Sequence, residues 1–379
     1  MNSFTLALST LVGTIVGAGI FGIPFAMVKS GIVPGLFYLF LLGGIICLLH
    51  LFFGEICLRT SGKHRLVGYA GIYLGKRGKA IATLTLLFVL VGTLLAYLIL
   101  VGEFSEIVLG SFIPFSSTIF TVLFSIFAFF LVLSGRQLIT KIEFFTNILF
   151  IGAIVALIAL ALPHVKGIEV PLFDFSNLSN LFLPFGVLLF AFAGFEAVPE
   201  VMSFLRDRNA RTKLDNVIVL SSVIVGAFFL LFSLIVIGVS GFATTPDAFS
   251  GLVPFLGQSI IAFGALIGIV IIADSFLVIG NYLKNSLRHD FNFPYIPAVL
   301  VAMGIPLALF LLGFREFISV VGVVGGVMGA VEGILIMLMF RNAKTMGDRK
   351  PEYEIRVPSF LLFLLAAILI AGAVAELLF

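Results

Sequence analysis

Three carboxylates, Glu196, Asp274 and Glu332, stand well inside long apolar stretches of this chain. A charge placed mid-bilayer costs at least about 2.5–3.5 kcal/mol on insertion scales, so such groups pair, titrate or bind a cation. Asp274 is followed by Ser275. Desolvation lets the aspartate carry a proton. Glu196 is placed to shape a pocket, accept an amine or gate. Glu332 reads as a residue facing a vestibule, and Glu103, Glu106 and Glu200 as interfacial or inter-helix contacts.

Two short stretches are built to interrupt helices: Ala18-Gly-Ile-Phe-Gly-Ile-Pro24 and Ala193-Gly-Phe-Glu-Ala-Val-Pro199. Each interior glycine lowers helix propensity by about 1 kcal/mol relative to alanine. Pro24 and Pro199 each remove an N–H and crowd the carbonyl four residues back. An unwound turn in lipid leaves backbone groups unpaired at several kcal/mol each, and is tolerable where a ligand, an ion or water takes those bonds. Freed N–H groups at a half-helix N-terminus attract a carboxylate, and freed carbonyls attract an ammonium. The solute suited to such a pair is a zwitterion. For Gly17 and Gly19 the competing reading is close helix packing.

Other chemistries lack their residues. His50, His64, His164 and His289 are scattered without metal-ligand spacing. No P-loop Gly-Lys-Ser/Thr occurs, which disfavours ATP-driven work. The glycine-rich basic stretch from Arg59 to Lys79 reads as an orientation signal with a short amphipathic piece. Cys47 and Cys57 fall roughly 15 Å apart on one helix, too far for a disulfide, and read as free thiols.

The elements that must position these residues follow from composition. Of 379 residues 61% are hydrophobic and 11% charged, with mean hydropathy +1.26. A soluble domain carries about 25% charged residues, so this chain cannot cover a water-soluble globule. The net charge of +3 is too small and scattered for a nucleic-acid binder. An all-α integral membrane protein remains. Eleven segments reach the roughly 20 apolar residues of a spanning helix. They are Phe4–Val28, Gly31–Gly54, Ala80–Gly102, Pro114–Leu133, Phe144–Pro163, Leu181–Phe204, Asn216–Gly241, Pro254–Leu283, Phe293–Phe314, Phe317–Phe340 and Val357–Leu378. With the N-terminus inside, only Lys29, Lys166 and Arg315 of the 22 basic residues lie outside. The inner loops hold the rest, among them Lys63, Arg136, Lys141, Arg206 and Arg208, as the positive-inside rule expects. The expectation is a multi-pass plasma-membrane protein with a cytoplasmic N-terminus and an external C-terminus. The first segment, with no basic residue ahead of it and no cleavage site, reads as a span rather than a signal peptide.

The two glycine-proline stretches match in register and are separated by an odd number of spans, so the second runs oppositely through the membrane. That is the sign of an inverted repeat. It divides one transporter-like domain, 1–379, into halves 1–165 and 175–340, with 357–378 as an additional helix 11.

At these residues the chain resembles the amino acid–polyamine–organocation superfamily, which has the LeuT-type fold. Val16-Gly-Ala-Gly-Ile-Phe-Gly-Ile-Pro24 resembles its opening glycine motif, and Phe190-Ala-Phe-Ala-Gly-Phe-Glu196 its broken sixth helix. Ala96-Tyr-Leu-Ile-Leu-Val-Gly-Glu103 looks most like the amino acid/auxin permease branch. Ala273-Asp-Ser-Phe-Leu277 is similar to the aromatic amino acid permeases. Phe195-Glu196 departs from the histidine-containing version of the auxin-permease branch.

The resemblance implies substrate binding by the backbone of Gly17, Ala18, Gly19 and Ile20 and of Phe190, Ala193 and Gly194. Phe21, Phe192 and Phe195 would be walls; in a chain with 44 Phe the alternative for each is packing. It implies for Tyr97 a bond to the substrate carboxylate; a structural bond to a neighbouring carbonyl is the alternative. It implies a cation site at the Gly13 and Val16 carbonyls with Asp274 and Ser275. No Lys stands midway along span five to replace the ion.

The expectation is therefore a cation-coupled amino acid permease working by alternating access, with neutral or aromatic substrates. It needs no cofactor beyond a coupling sodium ion or proton, no metal beyond that sodium, no nucleic acid and no obligatory protein partner. A non-transporting amino acid sensor of the same fold, an exchanger and a passive channel are the alternatives.

Overall fold

A computed structural model of the chain describes residues 3–62, 64–134, 143–167, 170–173, 178–205 and 211–378. Of the inner-loop basic residues, Lys63, Arg136, Lys141, Arg206 and Arg208 lie outside them. Every regular element among the described residues is helical. In chain order they are α1 (Ser3–Ile15), α2 (Gly19–Ser30), α3 (Ile32–Arg59), α4 (Leu66–Leu109), α5 (Ser117–Leu133), α6 (Glu143–Ala161), α7 (Leu183–Phe192), α8 (Ala197–Phe204), α9 (Leu214–Ser240), α10 (Gln258–Asp290), α11 (Tyr295–Leu311), α12 (Phe317–Val323), α13 (Ala330–Met346) and α14 (Ser359–Leu378). A π-helix, Val324–Gly329, joins α12 to α13. Helices answer the bilayer's demand that each backbone group be paired within its own segment.

Among the described residues seven helical stretches, Ser179–Phe204 and Phe317–Met346 included, are long and apolar enough to cross a membrane, and the bent α1–α2 pair makes an eighth. The shorter apolar helices Ser117–Leu133, Gly152–His164 and Tyr295–Leu311 fall at the remaining expected segments. The third segment is longer than its apolar run. α4 begins at Leu66, is interrupted at Gly75 (φ 69°, ψ −162°) and then runs on to Leu109. The stretch before Gly75 carries no charged residue, and Lys76, Arg77 and Lys79 follow it.

Missing side chains set the helix contacts, as expected where lipid supplies no hydrophobic drive between helices. Gly186 of α7 and Gly325 of the π-helix bring those two backbones into contact. Glu376 of α14 fills the space left by Gly186, Gly322 and Gly326. On the basic-loop side, the segment after α13 folds back over the end of α3. The Tyr353 hydroxyl donates to the Leu51 carbonyl at 2.6 Å, and the Ile355 N–H donates to Glu55 Oε2 at 2.6 Å. Arg59 joins Glu55 at 2.8 Å and Glu354 at 3.1 Å. Burial under this segment pushes the Tyr353 phenol up.

Candidate substrate site

Both glycine-proline stretches are interrupted. α1 stops at Ile15 and α2 starts at Gly19, with 54° between their axes. α7 stops at Phe192 and α8 starts at Ala197. The prolines do not sit in the breaks: Pro24 lies inside α2, and Pro199 in the first turn of α8, where an N–H has no intrahelical partner in any case. The glycines open the chain. Gly194 has φ +136°, a conformation L side chains rarely adopt.

The two interruptions cross. α1 packs on α8, and α2 packs on α7. A Cβ on Gly19 would lie 2.7 Å from the Ala191 Cα, and one on Gly194 would lie 3.1 Å from Ile15 Cγ1. The first span thus passes from the α1–α8 side to the α2–α7 side, and the sixth span passes back. Gly19 itself fills the packing role between α2 and α7, whereas Gly17 faces open space with the Tyr97 hydroxyl 3.6 Å from its missing Cβ.

Hydrogen bonding shows which backbone groups the breaks release. Val16 N–H donates to Val12, Gly17 to Ile15, Ile20 to Gly17 and Phe21 to Ala18. Among the described residues this leaves the Ala18 and Gly19 N–H groups, and the Gly13, Thr14 and Val16 carbonyls, without backbone partners. At the sixth-span break Ala193 N–H donates back to Leu189, and Ala197 donates to Gly194, which leaves the Gly194 and Phe195 N–H groups similarly free. Donors therefore gather at the N-termini of α2 and α8, and acceptors at the C-terminus of α1. The Tyr97 hydroxyl, on buried α4, makes no hydrogen bond among the described residues and is directed at Gly17.

The aromatic residues divide. Phe21 packs edge-on against Phe104 and Phe249, at 5.1 Å in each case, and against Phe232 at 6.3 Å. Phe104 and Phe249 stack at 5.0 Å. These four buried rings close the α2 side. Phe192 turns toward Phe229 of α9 and Gly43 of α3. Phe195 lies on the His50 ring at 4.9 Å, and Phe190 beside Gly325 of the π-helix. On the opposite side Thr14 and Glu196 are exposed between buried neighbours, and Gly17, Ala193 and Gly194 are half-buried. The breaks are sealed above by rings and open below along α1 and α8.

Glu332 does not face a vestibule as expected. It is 2% exposed, one of its oxygens has no partner, and it lies close enough to Glu196 to feel its charge. The helix carrying it packs against both α3 and α4. Asp274 and Ser275 are half-buried on α10, which packs on α4, α5, α6 and α11; α1, with Gly13 and Val16, packs mainly on α6, α8 and α9. All four offer oxygen ligands suited to sodium, and helix packing does not draw the two pairs together in this conformation.

The family described as "Transmembrane amino acid transporter protein" matches residues 2–332. The chain belongs to this transmembrane amino acid transporter family. A curated relative, "Glutamine transporter 2" of Aliivibrio fischeri (strain ATCC 700601 / ES114), is 23% identical over 364 residues, covering 91% of this chain and 89% of the relative. Among solved structures, the crystal structure of MhsT in complex with L-phenylalanine superposes with TM-score 0.64 at 19% identity, over 99% of this chain and 97% of that one. That likeness shows the LeuT-type fold. The protein is an amino acid transporter of the membrane, not an enzyme.

Sequence reasoning missed three polar residues of this transporter. His50 is fully buried with neither ring nitrogen hydrogen-bonded among the described residues. A histidine inside an apolar span was the available signal. Glu55 anchors the segment after α13, and Glu376 plugs the glycine contacts of α7. Both sit near the ends of apolar runs, where a charge looks interfacial.

Proposed function

We propose that the protein is a cation-coupled amino acid permease that binds its substrate between the two crossed breaks and works by alternating access. The observation that carries this is the pairing of released N–H and carbonyl groups at Val16–Gly19 and Ala193–Glu196, with the Tyr97 hydroxyl over Gly17. The substrate carboxylate is assigned to the N-terminus of α2 and to Tyr97, and the ammonium to the freed carbonyls, with Glu196 nearby. The Phe21 cluster is the closed gate. The exposed Thr14 and Glu196 mark a path open toward the basic loops, which the charge distribution assigns to the cytoplasm of a cell membrane. The halves 1–165 and 175–340 act as an inverted pair, and the antiparallel crossing of the broken spans supports that division.

Neutral amino acids are the proposed substrates. The spans hold few cations to pair a side-chain carboxylate, the curated relative is named for glutamine, and the structural neighbour was solved with L-phenylalanine. The coupling cation, sodium or a proton, is assigned to Asp274 and Ser275 with the Gly13 and Val16 carbonyls. That assignment requires α1 to move onto α10. One co-transported charge contributes about 2.3 kcal/mol per 100 mV, which supports roughly 50-fold accumulation. The test is uptake into proteoliposomes under an imposed sodium or proton gradient, alongside a thermal-shift screen of the twenty amino acids. Ligand stabilisation without concentrative uptake under either gradient would replace the permease with a sensor; uptake only against internal amino acid would make it an exchanger.

A further inference from the structure

Away from the broken helices, a groove of about 240 Å3 runs between α13 and α14 on the basic-loop side. Its mouth carries Arg341, Lys344 and Ser359, and its depth is apolar, with Met337, Leu362 and Phe363. Arg341 directly follows Phe340, the last residue of the apolar run, and Ser359 opens α14, so the mouth sits at the level of the lipid headgroups.

The charge at this mouth is uncompensated. Lys344 is held in place by donating to the Ile355 carbonyl at 2.7 Å and lies 4.7 Å above the Phe340 ring. Neither contact neutralises it. Arg341 is exposed and makes no hydrogen bond or ion pair among the described residues. The acids of the following segment are engaged elsewhere: Asp348 accepts the Ser61 N–H, Glu352 pairs with Arg349, and Glu354 pairs with Arg59. Below the mouth, Leu338 and Phe363 are 47% and 69% exposed, so the apolar wall continues outward to the acyl-chain region.

We infer that this groove binds one anionic phospholipid, its phosphate between Arg341 and Lys344 with the Ser359 hydroxyl, and an acyl chain along Leu362 and Phe363. Two cations without a carboxylate partner favour a headgroup of net negative charge over a zwitterionic one, whose own cation would be repelled. The apolar depth selects a lipid over a free anion, which would use only the mouth. Basic pockets between spanning helices on the inner side of a membrane follow this logic.

The experiment uses the full-length transporter, purified in detergent and titrated with phosphatidylglycerol or phosphatidylcholine, with bound lipids counted by native mass spectrometry and thermal unfolding followed in parallel. Phosphatidylglycerol is expected to bind preferentially and raise the melting temperature. Each basic residue near the surface contributes about a fivefold effect. Arg341→Gln should therefore weaken phosphatidylglycerol binding about fivefold, and Arg341→Gln with Lys344→Gln roughly 25-fold, with phosphatidylcholine binding unchanged. Ala366→Phe, which fills the groove and keeps both charges, should lose the lipid as well. Arg356→Gln, an exposed cation outside the groove, should leave binding intact. Equal binding of the two lipids, the same stabilisation by inorganic phosphate, full binding by the Ala366 variant, or an equal loss with Arg356→Gln would each overturn the inference.

Discussion

The first-span and sixth-span breaks do the same thing to the backbone with different side chains. Around the first break the Ala18 and Gly19 N–H groups and the Gly13, Thr14 and Val16 carbonyls are released from a segment that carries no charge, and a polar side chain directed at it, Tyr97, arrives from α4. Ala193 to Glu196 release the same kinds of group, but here the break has its own carboxylate, with Glu332 within reach of its charge and His50 behind Phe195. A neutral break suits a fixed ligand-binding frame. A charged one is costly to bury, so its charge must be matched by a cation, a proton or the substrate amine as the transporter cycles. In the proposed mechanism this divides the labour: the first break orients the substrate, and the sixth responds to charge.

The largest expected effect lies at the first break. Gly17→Leu should abolish substrate-induced thermal stabilisation and uptake while the apo protein keeps its melting temperature, because the new side chain runs into the space before Tyr97 rather than into a helix. Gly19→Leu should instead lower stability outright, since its Cβ meets the Ala191 backbone. If the two variants behaved alike, the first break would be packing only. Asp274→Asn should next remove cation dependence, reducing accumulation by roughly 50-fold per 100 mV of driving potential; gradient-driven uptake at the native level would take Asp274 out of the mechanism.

A smaller loss is expected for Tyr97→Phe. A hydrogen bond to a charged group contributes about 1.5–3 kcal/mol, so the dissociation constant measured by titration calorimetry should rise by about tenfold or more. Unchanged affinity would leave the first break without its side-chain partner. The sharpest test of the contrast has the mildest effect on activity. Glu332→Gln removes a buried carboxylate with an unpartnered oxygen, so it should raise stability by about 1–2 kcal/mol in chemical unfolding while slowing uptake only a few-fold. Destabilisation would mean that Glu332 is held by partners rather than repelled by Glu196.

Much of this architecture was legible in residue order. The positions of the spans, the asymmetry of the basic loops and the two interruptions were all visible in the apolar runs, in Lys and Arg placement, and in Gly17, Gly19 and Gly194. Each rests on a local property: the hydropathy of about 20 residues, the charge of a loop, the conformational freedom of a glycine. Local reading went astray where a residue's surroundings come from elsewhere in the chain. Pro24 and Pro199 looked like the breakers, yet both sit in helix that continues around them. Glu332 looked vestibular because its own helix gives no hint that α3 and α4 pack against it. His50, Glu55 and Glu376 drew no notice as partners because Phe195, Tyr353 and Gly186 are far from them in sequence.

The sequence by itself determined that this chain crosses a membrane repeatedly and where two helices must let go of their backbone groups. Hydrophobic transfer and backbone hydrogen bonding are set segment by segment. The tertiary structure alone decided that Gly19 meets Ala191 while Gly17 meets Tyr97, that four phenylalanines seal one side, and that Glu332 is buried with an unpartnered oxygen. Those facts depend on how helices cross, and crossing is fixed by shape complementarity between residues that no short stretch of sequence contains together.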